Sequence, residues 1–176
     1  MRTAKEIALV SVFTALLIGG QLVLSGISGV EIVTVLLLSF SYYFGVRKGL
    51  LVANAFSILR CFIFGFFVNV IILYLVYYNL FVLTFGILGS KLKKELNLKI
   101  LTLIVLVASL LTAIFTGLDD IITPLYYRFS IDAMKAYAIA SLTAVIPQVI
   151  CTILTVILLF PILVRVFRQT PYFQDK

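Results

Sequence analysis

The chain reads as all-α: an integral membrane bundle of six transmembrane helices with both termini cytoplasmic, forming one domain over residues 1–176. Three observations predict it. Residues are 63% apolar and only 12% charged, with a mean hydropathy of +1.22, whereas about a quarter of an ordinary soluble domain is charged. The apolar residues gather into stretches suited to helical crossings of a hydrocarbon layer about 30 Å thick. Eleven of the fourteen Lys and Arg fall at the N-terminus (Arg2, Lys5), in two short connections (Arg47, Lys48; Lys91, Lys93, Lys94, Lys99) and at the C-terminus (Arg165, Arg168, Lys176). Six crossings place all four groups on one face, which the positive-inside bias makes cytoplasmic.

The elements follow in order. Span one runs from Glu6 to Ser25 and is broken by the Gly/Ser stretch Ser25–Gly29. Span two, Val30 to Phe44, is short for a bilayer and ends at Gly45, ahead of Arg47 and Lys48. Spans three (Gly49–Phe66) and four (Val70–Leu88) are separated by only Phe67, Val68 and Asn69. The chain must cross twice here, because Arg47/Lys48 and the Lys91–Lys99 group belong on the same side; Gly65 and Asn69 are the expected turn. Gly89–Lys99 reads as a polar cytoplasmic loop, and span five covers Ile100–Leu118. Asp119–Lys135 is expected to be a long polar outer loop. Span six covers Tyr137–Val164, with Pro147 as a potential kink.

Composition also excludes function classes. A net charge of +7 would suit nucleic acid, but the basic residues flank apolar segments; they read as topology determinants facing anionic headgroups of the lipid bilayer. His is absent, and Cys61 and Cys151 have no CxxC or Cys/His company, so neither a zinc site nor a disulfide framework is expected. No paired catalytic carboxylates, phosphate loop or Walker motif appears. We therefore expect no enzyme, no cofactor and no metal. Twin inverted halves are not evident.

Several features point to binding. Ala4, Ala8, Ser11, Ala15 and Gly19 recur at steps of four, three, four and four, so they share one helix face. Small residues let a second helix approach closely in lipid, either from a partner protein or from this chain. Gln21 closes span one. Glu31 and Thr34 open span two on a common face, positioned either to meet a ligand or to complement a helix N-terminus. Arg60 is the sharpest signal, because a lipid-facing guanidinium inside a span costs several kcal/mol. It must meet either the anionic group of a ligand, by bidentate hydrogen bonds, or an internal carboxylate (Glu31, Asp119 or Asp120). Asn69, Tyr74, Tyr77, Tyr78 and Asn79 cluster on span four, as interface-belt residues or as a pocket wall. Asp119 and Asp120, with Tyr126, Tyr127 and Arg128, suit either a solvated loop or a lid. Gln148, inside span six, needs a polar partner.

Taken together, these motifs resemble the substrate-binding (S) component of an energy-coupling factor transporter, over nearly the whole length. Ala4-Lys5-Glu6-Ile7-Ala8 matches the family's Ala-x-x-x-Ala docking motif, extended by Ser11 and Ala15. Gly29-Val30-Glu31-Ile32-Val33-Thr34, followed by Phe44-Gly45-Val46-Arg47-Lys48-Gly49, resembles its second-helix region. The absence of Trp departs from members that stack their ligand on that residue. The resemblance implies a plasma-membrane protein of a prokaryote that captures a water-soluble vitamin or related micronutrient at its outer face. The pocket would be closed by Ser25–Gly29, Phe67–Asn69 and Asp119–Lys135. It further implies docking on a transmembrane coupling subunit through the helix-one stripe, with two cytoplasmic ATPase subunits supplying energy. Substrate contacts are then expected from Gln21, Glu31, Thr34, Arg60, Asn69, Tyr74, Asp119 and Gln148. The competing readings are a stand-alone secondary carrier or channel, and a membrane protein without a small ligand.

Overall fold

The computed structural model describes residues 4–27 and 29–169; Arg2, Ser28 and Lys176, invoked above, lie outside them. Every regular element among the described residues is helical: α1 (Ala4–Leu24), α2 (Val33–Phe44), α3 (Val46–Leu59), α4 (Cys61–Phe64), α5 (Val68–Lys91), α6 (Leu98–Tyr127) and α7 (Ile131–Gln169). Four of these, α1, α5, α6 and α7, are long and apolar enough to cross a membrane. The protein is thus an all-helical, multi-pass membrane bundle.

Its core is organised around α2, a short apolar helix of twelve residues. Residues Val33 to Tyr43 of α2 are buried on every side, packed among α3, α5 and α7. Its twelve residues rise only about 18 Å, but an enclosed helix has no lipid face and need not match the bilayer. The hydroxyls of Ser39 and Ser41 donate to the carbonyls of Val35 and Leu37, each at 2.7 Å, so the buried polar atoms are satisfied within α2. Rings fill the space around it: Phe13 on Phe40 at 4.4 Å, Tyr42 on Phe160 at 5.3 Å and Phe44 on Phe167 at 5.2 Å between centroids.

Gly45, at φ +83°, turns the chain from α2 into α3. The α3–α5 contact carries a polar clasp. Asn54 donates to Asn79 Oδ1 at 3.1 Å and Asn79 donates back to Asn54 Oδ1 at 3.0 Å. Replacing one member strands the other amide in a partly buried contact, so Asn54→Leu is expected to lower stability by about 1–2 kcal/mol. The double variant Asn54→Leu/Asn79→Leu should recover part of that loss, read as thermal midpoints in a double-mutant cycle.

The basic residues of the connections meet at one end of the bundle. Arg168, near the end of α7, donates to the Lys94 carbonyl. The Tyr42 hydroxyl donates to the Glu95 carbonyl at 2.7 Å, and Lys94 and Lys48 lie over the Tyr43 and Phe44 rings.

Four expectations need correction. Span three is not one helix: α3 ends at Leu59, Arg60 keeps helical dihedrals, and α4 follows it to Phe64. Gly65 makes the turn, at φ +98°, but Asn69 does not; it is buried within the first turns of α5. The Gly89–Lys99 loop is shorter than expected, because α5 continues to Lys91 and Asn97 already caps α6 by accepting from the Ile100 amide at 2.9 Å. The segment Asp119–Lys135, expected as an outer loop, is not a loop: only Arg128, Phe129 and Ser130 lie outside helix. Asp119 and Asp120 accept from the Tyr137 and Ser141 hydroxyls of the facing helix, and α6 continues past them. As a result α6 and α7, with 30 and 39 residues, extend about 45 and 58 Å, well beyond the hydrocarbon thickness.

Candidate functional site

Two adjoining cavities occupy the end of the bundle opposite the basic connections. The inner one, about 90 Å³, is lined by Gln21 of α1, Glu31 and Thr34 at the start of α2, Tyr74, Tyr77 and Tyr78 of α5, Thr112 and Phe115 of α6, and Gln148 of α7. The outer one, about 280 Å³, lies between α6 and α7 against Phe115, Thr116, Asp119, Tyr137, Ser141 and Gln148. Phe115 and Gln148 line both. Ligand pockets for drug-sized molecules span about 300–1,000 Å³; the inner cavity alone is well below that range and the outer one lies at its lower edge.

Local sequence explains why these groups converge. Tyr74, Tyr77 and Tyr78 are spaced by three and four on α5, which turns all three rings inward. Tyr77 and Tyr78 are buried, so the interface-belt reading fails for them. Tyr74 packs edge-on against Tyr78 at 5.1 Å and Phe115 at 5.8 Å, forming an aromatic floor with Phe56. On the facing side, Thr112 and Thr152 share a hydrogen bond of 3.0 Å between α6 and α7.

Glu31 takes the helix-start role: its Oε2 accepts from the Thr34 amide at 3.0 Å while it also lines the inner cavity. Its own backbone is held by Cys151, whose thiol donates to the Glu31 carbonyl at 3.4 Å. The loop after α1 is seated on α7 through Gly29, at φ +77°. A Cβ there would meet Pro147 Cβ at 2.8 Å, so glycine is required for this approach.

Arg60 is 8% exposed. Its Nε donates to Gln21 Oε1 at 3.0 Å, and Gln21 Nε2 in turn donates to the Tyr74 hydroxyl at 3.2 Å. The guanidinium carbon lies 4.2 Å from the Tyr74 centroid and 4.9 Å from that of Phe64. None of the carboxylates expected as internal partners pairs with it. A second network ties α5 to the α6–α7 extension. Asn69 Nδ2 donates to Thr123 at 3.1 Å, Thr123 donates to Asp119 at 2.6 Å, and the Tyr137 hydroxyl donates to the other Asp119 oxygen at 2.7 Å. Ser141 donates to Asp120 at 2.8 Å. Asn69 Oδ1 is buried without a partner, and the Gln148 amide makes no hydrogen bond among the described residues.

Of the eight residues expected to contact substrate, Gln21, Glu31, Thr34, Tyr74, Asp119 and Gln148 line one or both cavities. Arg60 reaches the wall through Gln21 and Tyr74, and Asn69 through Thr123 and Asp119. Thr112, Phe115, Tyr137 and Ser141 were not foreseen. A signal for them exists: Thr112, Phe115 and Asp119 step by three and four along one face of α6, and Tyr137, Ser141, Ala144 and Gln148 do so along α7.

The docking candidates lie elsewhere. Ala4, Ala8, Ser11 and Ala15 are all exposed, and α1 buries Leu9, Phe13, Thr14 and Leu17 instead. Packing within the chain therefore does not account for the small-residue stripe. Beside it, Glu6, Ile7, Val10 and Ser11 of α1 and Leu51 and Ala55 of α3 line a groove of about 210 Å³.

Comparison of the chain with family models, with curated proteins and with solved structures finds no match.

Proposed function

We propose that this protein is the membrane-embedded substrate-binding component of an energy-coupling-factor type importer. In this reading it crosses the plasma membrane of a prokaryote six times, α3 and α4 together forming the third crossing, with both termini cytoplasmic. It captures a water-soluble vitamin or related micronutrient in the cavities at its outer end. Docking on a transmembrane coupling subunit, driven by two ATPase subunits, then delivers the ligand inward.

One observation carries the reading: α1 divides its labour between its two ends and two faces. At its outer end Gln21 joins the polar cavity, while its small residues are left bare along the outside of the bundle. In lipid, a row of small side chains is an invitation to a second helix, and the groove against α3 widens that surface. A helix that touches both ligand and partner can couple the two events.

The test is direct. The chain purified alone in mild detergent should hold a small molecule stoichiometrically by native mass spectrometry. In vesicles it should give uptake only with coupling and ATPase subunits present and ATP inside. Ion-driven flux by the purified chain alone would instead establish a stand-alone carrier.

A further inference from the structure

We infer that the inner cavity selects a small cationic head, an ammonium or amidinium group, and that the rest of the same molecule occupies the outer cavity. The inference rests on the reading of the two cavities as a binding site and names the charge of the substrate that site selects.

The lining sets the sign. Glu31 faces the inner cavity and Asp119 the outer one, and neither cavity is lined by a Lys or Arg. Among the described residues these carboxylates meet only neutral donors: the Thr34 amide on Glu31, and the Thr123 and Tyr137 hydroxyls on Asp119. Asp120, next along α6, accepts from Ser141 with one oxygen, while the other is buried without a partner. Arg60 is the one buried cation among the described residues. It lines neither cavity and turns its Nε to Gln21. Glu31, Asp119 and Asp120 thus stand against Arg60 alone, and a charge withdrawn from water without an opposite charge is costly. A cationic ligand supplies the counter-charge.

The rings and the free polar atoms set the kind of head. Tyr74 already carries the Arg60 guanidinium over its ring, at 4.2 Å. Tyr77, Tyr78 and Phe115 remain for a ligand; the Tyr77 centroid lies 4.8 Å from that of Phe115 and 5.1 Å from that of Tyr78. Aromatic faces attract a cation within about 6 Å of the centroid, most strongly out of water. Tyr78 is 6% exposed, lines the inner cavity, and its hydroxyl makes no hydrogen bond among the described residues. The Gln148 amide, at the boundary of the two cavities, is free in the same way. Each offers an oxygen to an N–H donor, and an unpaired buried hydroxyl costs free energy until it finds one. At about 90 Å³ the inner cavity admits a head group rather than a whole drug-sized molecule, and the adjoining 280 Å³ takes the remainder. A free amine or amidine and the ammonium of a phospholipid headgroup share this chemistry.

The test uses full-length chain in detergent, native mass spectrometry of what copurifies, and matched cationic and neutral probes: benzamidine and benzamide, choline and 3,3-dimethylbutan-1-ol. Wild type should bind the cation of at least one pair about tenfold or more tightly than its neutral partner. Glu31→Gln keeps an oxygen for the Thr34 amide and removes only the charge; it should erase the preference with the chain still monodisperse. Asp132→Asn, at an exposed acid on α7, should retain it. Tyr78→Phe, which removes only the free hydroxyl, should weaken the cation at least about threefold, and it decides the matter if Glu31→Gln aggregates. Equal binding of both members of each pair, a preference surviving in Glu31→Gln, or unchanged cation affinity in Tyr78→Phe overturns the inference and leaves the binding reading standing. So does a copurified molecule that is neutral or anionic; one that is cationic and lost in Glu31→Gln supports the inference. A wild-type chain that binds no probe and copurifies with no small molecule or lipid overturns both. A lipid with an ammonium headgroup, held by wild type and lost in Glu31→Gln with no water-soluble cation bound, keeps the cation chemistry and overturns the transport reading.

Discussion

Gly89→Ala is expected to cost at least about 3 kcal/mol, the upper range for overpacking a well-filled interface. Gly89 sits near the end of α5, where that helix passes the last turn of α2. A Cβ added there runs into the Tyr42 carbonyl oxygen and comes within 2.8 Å of its carbon and 2.9 Å of the Tyr42 Cα. These are backbone atoms of the enclosed helix, so no rotamer change relieves the overlap; α2 and α5 must separate. Separation would pull Tyr42 from the Glu95 carbonyl and from Phe160. One turn earlier, Gly86 makes the same kind of approach to the Val46 backbone, at 2.8 Å from its amide nitrogen. The loss should appear as a fall of about 6–12 °C in the thermal midpoint of the detergent-solubilised chain. Gly19→Ala is the control: nothing lies within 4 Å of its added Cβ, and its midpoint should not fall, the better helix propensity of alanine raising it slightly if anything. A Gly89→Ala chain with an unchanged midpoint would mean that α2 is not clasped by α5 as described.

That contact marks the limit of what sequence could reveal. The helical class was legible because apolar runs and basic punctuation are local, one-dimensional signals. So was the polar cluster, since Gln21, Glu31, Arg60 and Gln148 each stand out against an apolar background. Gly86 and Gly89 were invisible: a glycine near a helix end reads as a loop signal, and only the arrival of Tyr42 from a distant segment makes it a packing requirement. Asp119 and Asp120 misled for a related reason. Two adjacent acids read as a solvated loop, but Thr123 within the same helix and Tyr137 and Ser141 on the neighbouring one donate hydrogen bonds to them. The inward aim of Tyr77 and Tyr78 depends on which face of α5 meets α2 and α6, a question of tertiary contact that composition at a membrane boundary cannot answer. Arg60 stands out in the sequence as a cation that must be buried, yet its partners, an amide and two rings, are not the carboxylates that pairing logic suggests first.

The second large effect concerns the exposed face of α1. If the chain is the binding component proposed above, Ala8→Trp should leave ligand binding within about twofold of wild type and abolish both copurification with a coupling subunit and ATP-dependent uptake. Ala8 is exposed in the middle of the stripe, on the side of α1 away from Leu9, Phe13 and Leu17. An indole there displaces lipid and meets no side chain of the core, so the fold and the cavity should be unaffected. For a partner helix the consequence is different. Helices pack closely across small residues because their backbones can approach, and a Trp in that seam holds them apart over more than one turn. Leu106→Trp separates this from any general effect of bulk in lipid: Leu106 is 63% exposed on α6, far along the chain from the stripe, and uptake should survive it. Uptake retained in Ala8→Trp would show that the stripe is not where coupling occurs. Uptake lost equally in both variants would show that the lipid-facing surface as a whole tolerates no bulk. Loss in Ala8→Trp alone, with binding intact, would separate capture from delivery within a single helix, as expected if α1 carries Gln21 at the cavity and Ala4, Ala8, Ser11 and Ala15 at the partner.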